Sequence, residues 1–159
     1  SPAALATLSA SERATMKAKL GPTKPCPCGT GVTYGACCGP AHAGAREPAT
    51  AEALMRSRYS AFALGAAEYL VKTISSDHED RSADPVALVA ALREVCRTSR
   101  FMALTVKSAR EDGERATVSF HVRVFVGGRD RSFEETSAFV REDGAWRYQR
   151  ALADGSERA

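Results

Sequence analysis

The chain has 159 residues, 44% apolar and 26% charged, a balance that suits one folded domain with a small appendage and excludes a disordered polymer. No apolar run is long enough to span a bilayer. The first residues hold neither a secretory h-region nor a starting Met, so Ser1 is expected to follow trimming and the expected compartment is the cytoplasm. The net charge of +3 is concentrated in residues 1–50, which hold five basic and two acidic side chains, while the remainder balances. That weak positive field is compatible with an acidic protein partner or with RNA or a ribosome, and equally with a solvated helix that carries lysines.

Residues 2–20 read as a helix, with Ser9-x-x-Glu12 as a capping box and Gly21-Pro22 as its stop. Its apolar positions, Leu5, Leu8, Met16 and Leu20, are sparse, so the helix needs a neighbour to lean on. From Gly21 to Pro48 the chain is rich in Gly, Pro and Cys and cannot build an apolar core; a metal is the usual substitute.

Four of the five cysteines fall there, as Cys26-x-Cys28 and the vicinal pair Cys37-Cys38. Soft thiolates select zinc, or iron, over hard cations, and four of them close a tetrahedral shell with no position left for water. A site of that kind builds structure. Binding four thiolates to a dication leaves a charge of −2, which amides of the Gly29, Gly31 and Gly35 loop, with Lys24 nearby, are expected to offset. A Cys37–Cys38 disulfide would be strained, since adjacent Cα atoms lie only about 3.8 Å apart. A redox pair would show Cys-x-x-Cys in a βαβ setting, and the chain has neither. His42 reads as an exposed loop histidine and Cys96 as a small apolar residue.

A second helix opens near Thr50 behind Pro48, with Leu54, Met55, Tyr59, Phe62 and Ala66 as its apolar stripe. Gly65 interrupts it, and Tyr69, Leu70 and Ile74 continue on a shorter helix. Ser75 to Ala83 reads as a polar loop. Asp84-Pro85 then caps a third helix whose buried face is expected to be Val86, Val89, Leu92, Val95 and Cys96. After Arg100 the period falls to two, giving strands at 101–110, 115–126, 131–142 and 145–152. Asp112-Gly113, Gly127-Gly128 and Asp143-Gly144 punctuate them as tight hairpins with positive φ at both centres. Helices first and a four-stranded antiparallel meander afterwards define an α+β fold.

The window Cys26-Pro27-Cys28-Gly29-Thr30-Gly31, then Tyr34 and Cys37-Cys38-Gly39, closely resembles the SEC-C motif. Downstream, residues 50–62, Gly65-x-x-x-Tyr69-Leu70 and Phe139-Val140-Arg141-Glu142-Asp143-Gly144-x-Trp146-x-Tyr148 are similar to the YchJ family. The resemblance implies an SEC-C motif joined to a cone-shaped α+β domain of the nuclear transport factor 2 type, with Cys26, Cys28, Cys37 and Cys38 as metal ligands. It implies no activity, because that family is functionally uncharacterised. Where family members carry Thr-Trp after the Tyr-Leu helix, this chain has Thr73-Ile74. The expected organisation is a helix over 1–23, a zinc module over 24–46 and the cone over 47–155.

The expected role is that of a metal-binding protein whose cysteine motif is a structural or protein-interaction module on a ligand- or protein-binding cone. A homodimer is compatible with it. The competing reading is a small isomerase- or dehydratase-type enzyme that works in the cone with a purely structural zinc. Such chemistry needs a carboxylate or histidine in an apolar pocket. The candidate pocket residues are Arg56, Tyr59, His121, Arg123 and Glu135, with Asp77 and His78 in the polar loop; of Arg56 and Arg58, one is expected to face solvent and the other to pair with Glu134 or Glu135 or to line the pocket as an anion clamp. Strand alternation makes the His121 face solvated by default.

Overall fold

In the computed structural model, residues 20–152 are described; the helix expected over 2–20 lies almost entirely outside them. The chain enters as a knuckle. Pro25 bridges Thr33, the Cys26 amide donates to the Val32 carbonyl at 3.0 Å, and a 3₁₀ turn follows over Tyr34–Ala36. A single helical turn, α1 (Gly39–His42), leads on to α2 (Ala51–Leu64), α3 (Ala67–Lys72) and α4 (Pro85–Thr98).

Local chemistry sets these bounds. The Thr50 side chain accepts from the Ala53 amide, an N-cap, and Gly65 closes α2 in the left-handed conformation at φ 79°. Asp84 caps α4 by accepting from the Val86 amide, with Pro85 in the first turn. The helix expected to run to Ile74 stops at Lys72. Beyond it, Ile74 forms a parallel bridge to Tyr148, fixed by Ser75 N–H to Tyr148 O and Tyr148 N–H to Thr73 O, both 2.8 Å.

The strands are β1 (Ser99–Asp112), β2 (Arg115–Val126), the two-residue β3 (Arg129–Asp130), β4 (Phe133–Glu142) and β5 (Ala145–Ala151). They form an antiparallel sheet in the order β1-β2-β4-β5, with β3 paired to β2, so the meander stands with one short strand added. Gly127-Gly128 and Asp143-Gly144 have positive φ at both positions, as expected. The first hairpin differs: Asp112 pairs with Arg115, the loop is Gly113-Glu114, and only Gly113 has positive φ. Register shifts between Phe101 and Ala103 and between Val106 and Ser108 bend β1. The sheet therefore curls around α2.

Inside the curl, Leu54, Met55 and Tyr59 of α2 pack on Val118, Phe120, Val122, Phe139 and Trp146. Cys26, Cys28 and Cys38 belong to this same core cluster. A second cluster joins the helices through Ala41, Ala61, Tyr69 and Leu70. The stripe expected on α4 is buried only at Val89; Val86 and Val95 are 60% and 43% exposed. Helix α4 rests on α3 through Leu92 and Cys96, and Val95 turns towards a cavity instead of a filled core.

Candidate metal centre and cone cavity

The knuckle is built so that its sulfurs converge. One sulfur from each of Cys26, Cys28, Cys37 and Cys38 lies within 4.8 Å of all the others, and Cys28 and Cys37 approach to 3.5 Å. Sulfurs in a tetrahedral shell with metal–sulfur bonds of about 2.3 Å stand about 3.8 Å apart, so the donor set fits a thiolate-bound metal without rearrangement of the fold. Cys26, Cys28 and Cys38 are buried and Cys37 is partly exposed. Two glycines make the approach sterically feasible: Gly31 takes φ 83°, and a Cβ on Gly39 would stand 2.7 Å from the Tyr34 carbonyl.

The sulfurs find hydroxyl partners. Ser60 Oγ donates to Cys38 Sγ at 3.3 Å and lies 3.6 Å from Cys26 Sγ, while Thr30 Oγ1 lies 3.2 Å from Cys37 Sγ. Contacts from Cys26 and Cys38, then Thr30, hold the Cys28 thiol far below the ordinary thiol range. Sharing with Cys26 and Cys28, then burial, pushes Cys38 up. Thiols crowded this closely cannot all ionise on their own, and a dication is what lets them do so together.

Helix α2 grips this knuckle with one face. Arg56 Nη1 donates to the Cys28 carbonyl at 2.7 Å while its Nε bonds Glu52 at 3.0 Å. Arg56 is thus a clasp on the cysteine loop and does not line the cone. The Ser57 carbonyl accepts from His42 Nε2 at 2.8 Å, which leaves Nδ1 to accept the Tyr34 hydroxyl at 2.7 Å. The His42 ring also meets the edge of Tyr69 at 4.8 Å. The expected loop histidine is instead a wedge between knuckle and helix, and it stands outside the four-sulfur group.

The opposite face of α2 walls a cavity of about 420 Å³ inside the cone. Met55, Arg58, Tyr59 and Phe62 line it from the helix, at the i, i+3, i+4, i+7 spacing of one stripe. Tyr59 and Glu135 are the sequence candidates found there; burial pushes the Tyr59 hydroxyl up to about 12. His121 and Arg123 point out of the far side of the sheet. His121 pairs in register with Glu134, and exposed Arg123 stacks on Phe125 at 5.6 Å. Both have the parity of Ser119 and not that of Phe120, so the cone excludes them. Of the two arginines of the Arg56-Ser57-Arg58 stretch, Arg58 is the one that lines the cavity, and Tyr148, which no sequence pattern marked as a pocket residue, lines it as well. Asp77 and His78 lie near the β5 edge, Asp77 holding Gln149 at 2.9 Å and the His78 ring 5.6 Å from that of Tyr148.

A thiolate knuckle locked onto a helix-backed curved sheet defines a class of α+β metal-binding protein. The profile of the YchJ middle NTF2-like domain matches residues 50–151, and that of the SEC-C motif matches residues 23–40. A UPF0225 protein of Ralstonia nicotianae is 46% identical over 128 residues, covering 77% of this chain and 81% of that one. A UPF0225 protein of Chromobacterium violaceum is 42% identical over 141 residues, covering 86% and 98% respectively. The solution structure of a SEC-C motif containing protein from Rhodopseudomonas palustris superposes with a TM-score of 0.70 at 39% identity, over 79% of this chain and 95% of that one. The chain belongs to the YchJ family.

Two measurements check the joint between knuckle and helix. Arg56→Met should weaken metal retention about tenfold in a chelator competition, as loss of an outer-shell partner does; unchanged retention would contradict the clasp. Burial lowers the His42 pKa, so the folded state favours the neutral ring. The stability this contributes is present above the unfolded value of about 6.5 and is lost as the pH falls below it. Long-range ¹H–¹⁵N correlation should show the Nε2–H tautomer at neutral pH and a midpoint below 6.5; a midpoint at or above that value would refute the wedge.

Proposed function

We propose that this protein is a zinc-binding adaptor, in which one structural zinc ion held by Cys26, Cys28, Cys37 and Cys38 fastens an interaction module to a cone that receives a ligand. The observation that carries this reading is the convergence of four sulfurs within 4.8 Å, three of them buried in the core cluster that also holds Leu54 and Phe120. A shell of four thiolates leaves zinc no position for water, so its contribution is to folding. Zinc is preferred over iron because a closed structural site of sulfur ligands needs no redox chemistry.

The module turns Gly29, Thr30, Gly31, Val32 and Thr33 to solvent, with Val32 43% exposed, on the end of the chain that carries the positive excess. These features support an acidic protein partner. No helix among the described residues is long and apolar enough to cross a membrane, and reduced thiols in this density suit the cytoplasm. An acid–base enzyme gains less support: His121 lies outside the cavity, and the Glu135 carboxylate inside it is already held by the Ser137 and Tyr148 hydroxyls.

The purified chain should carry about one zinc per molecule by elemental analysis. Cys37→Ser removes the most exposed ligand and should lose the metal. Amide exchange should then rise first across residues 25–45 and along the α2 face that bears Arg56, Ser57 and Ser60, ahead of β4 and β5. Iron at stoichiometry would correct the metal assignment, and protein purified without chelator yet free of metal would overturn it.

A further inference from the structure

The cone cavity has a polar corner whose bonding capacity is only partly used. Along β4 the side chains that face the cavity are Phe133, Glu135, Ser137 and Phe139, an alternation that runs from 42% exposed Phe133 to buried Phe139. Most of the remaining wall is apolar, from Phe101 on β1 to Val122 and Val124 on β2. Its volume falls in the small-molecule range of about 300–1,000 Å³. Val95, Val126 and Phe133, at 43%, 37% and 42% exposure, are apolar side chains left in water, and all three line this cavity. Exposed apolar residues gathered at one opening mark an entrance.

Within the corner, Glu135 Oε2 accepts from Ser137 Oγ and from the Tyr148 hydroxyl at 3.3 Å. Glu135 Oε1 has no hydrogen-bond partner among the described residues. Arg58 spends Nη1 on the Leu70 carbonyl and on Thr73 Oγ1, and its guanidinium carbon stands 4.7 Å from the centre of the Tyr148 ring. Its Nε and Nη2 make no hydrogen bond among the described residues. Burial draws the Arg58 pKa down to about 10, so it remains charged at neutral pH. Burial and the neighbouring Glu135 push the Tyr148 hydroxyl well above its usual range, so it remains a donor.

The charges of Arg58 and Glu135 oppose one another across Tyr148. An anionic head would pair with Arg58 and be repelled by Glu135, and a cationic head would meet the reverse. An uncharged head with an acceptor beside a donor satisfies both at once. Arg131 is exposed, so its hydrated charge sets no requirement on the head.

We propose that the cone binds an uncharged, mainly apolar small molecule whose polar end carries a carbonyl next to an N–H or O–H group, the carbonyl received by Arg58 and the donor by Glu135 Oε1. This rests on the reading of the cone as a ligand receptor and is independent of the metal. Three probes that share one ring system test it by ¹H–¹⁵N NMR on the full metal-loaded chain: 2-naphthamide, 2-naphthoate and 2-naphthylmethylammonium. The amide should shift the Tyr59, Phe120, Val124 and Tyr148 signals saturably and bind at least tenfold tighter than either ion. Glu135→Ala should cost the amide about tenfold, the scale of a hydrogen bond to a charged group. Val124→Trp should fill the cavity and abolish the shifts; if that variant does not fold, the wild-type shift map decides. Absence of saturable shifts, ions that bind as tightly as the amide, or shifts centred on Arg100, Arg123 and Phe125 would overturn the proposal. Metal content measured on the same sample separates its failure from that of the zinc reading.

Discussion

Helix α2 must satisfy two surfaces at once, and the rest of the structure follows from how it does so. Arg56, Ser57 and Ser60 hold the cysteine knuckle through the Cys28 carbonyl, His42 and the Cys38 sulfur. Met55, Arg58, Tyr59 and Phe62 wall the cone cavity from the other side. A helix turns about 100° per residue, so Arg56 and Arg58, two positions apart, face in nearly opposite directions. The two arginines therefore serve different ends of the molecule. Replacing both by lysine would keep the charge and lose the planar fork that each one uses on a carbonyl.

The knuckle has little apolar surface of its own, so its attachment matters. Three of its cysteines belong to the core cluster of the sheet, together with Leu54, Met55 and Tyr59. A metal ion at their centre would order the loop and the knuckle-facing stripe of α2 together. Without one, the crowded thiols would have to remain largely protonated, and the loop would rest on the Arg56 clasp, the His42 wedge and sulfur–hydroxyl contacts.

Much of this was legible in the residues. Thiol spacing singled out the four cysteines, because only a common centre explains Cys-x-Cys beside a vicinal pair. Turn glycines placed the hairpins, and the fall to a period of two after Arg100 placed the strands between them. Side-chain direction was less legible. Strand alternation made the His121 face solvated only by default, and its register with Glu134 is a property of the folded sheet. The role of His42 depends on Ser57, fifteen positions away, and that of Arg58 on Thr73 and Tyr148; no local pattern encodes either. Helix α4 misled for a different reason. Its stripe is amphipathic, but part of what it faces is an open cavity, so Val95 is apolar without being buried.

Four thiolates closed around one metal ion would be seen by X-ray absorption at the zinc edge of the purified full chain. Such a centre should give a single shell of four sulfurs at about 2.3 Å. A first shell containing nitrogen or oxygen, or fewer than four sulfurs, would contradict it.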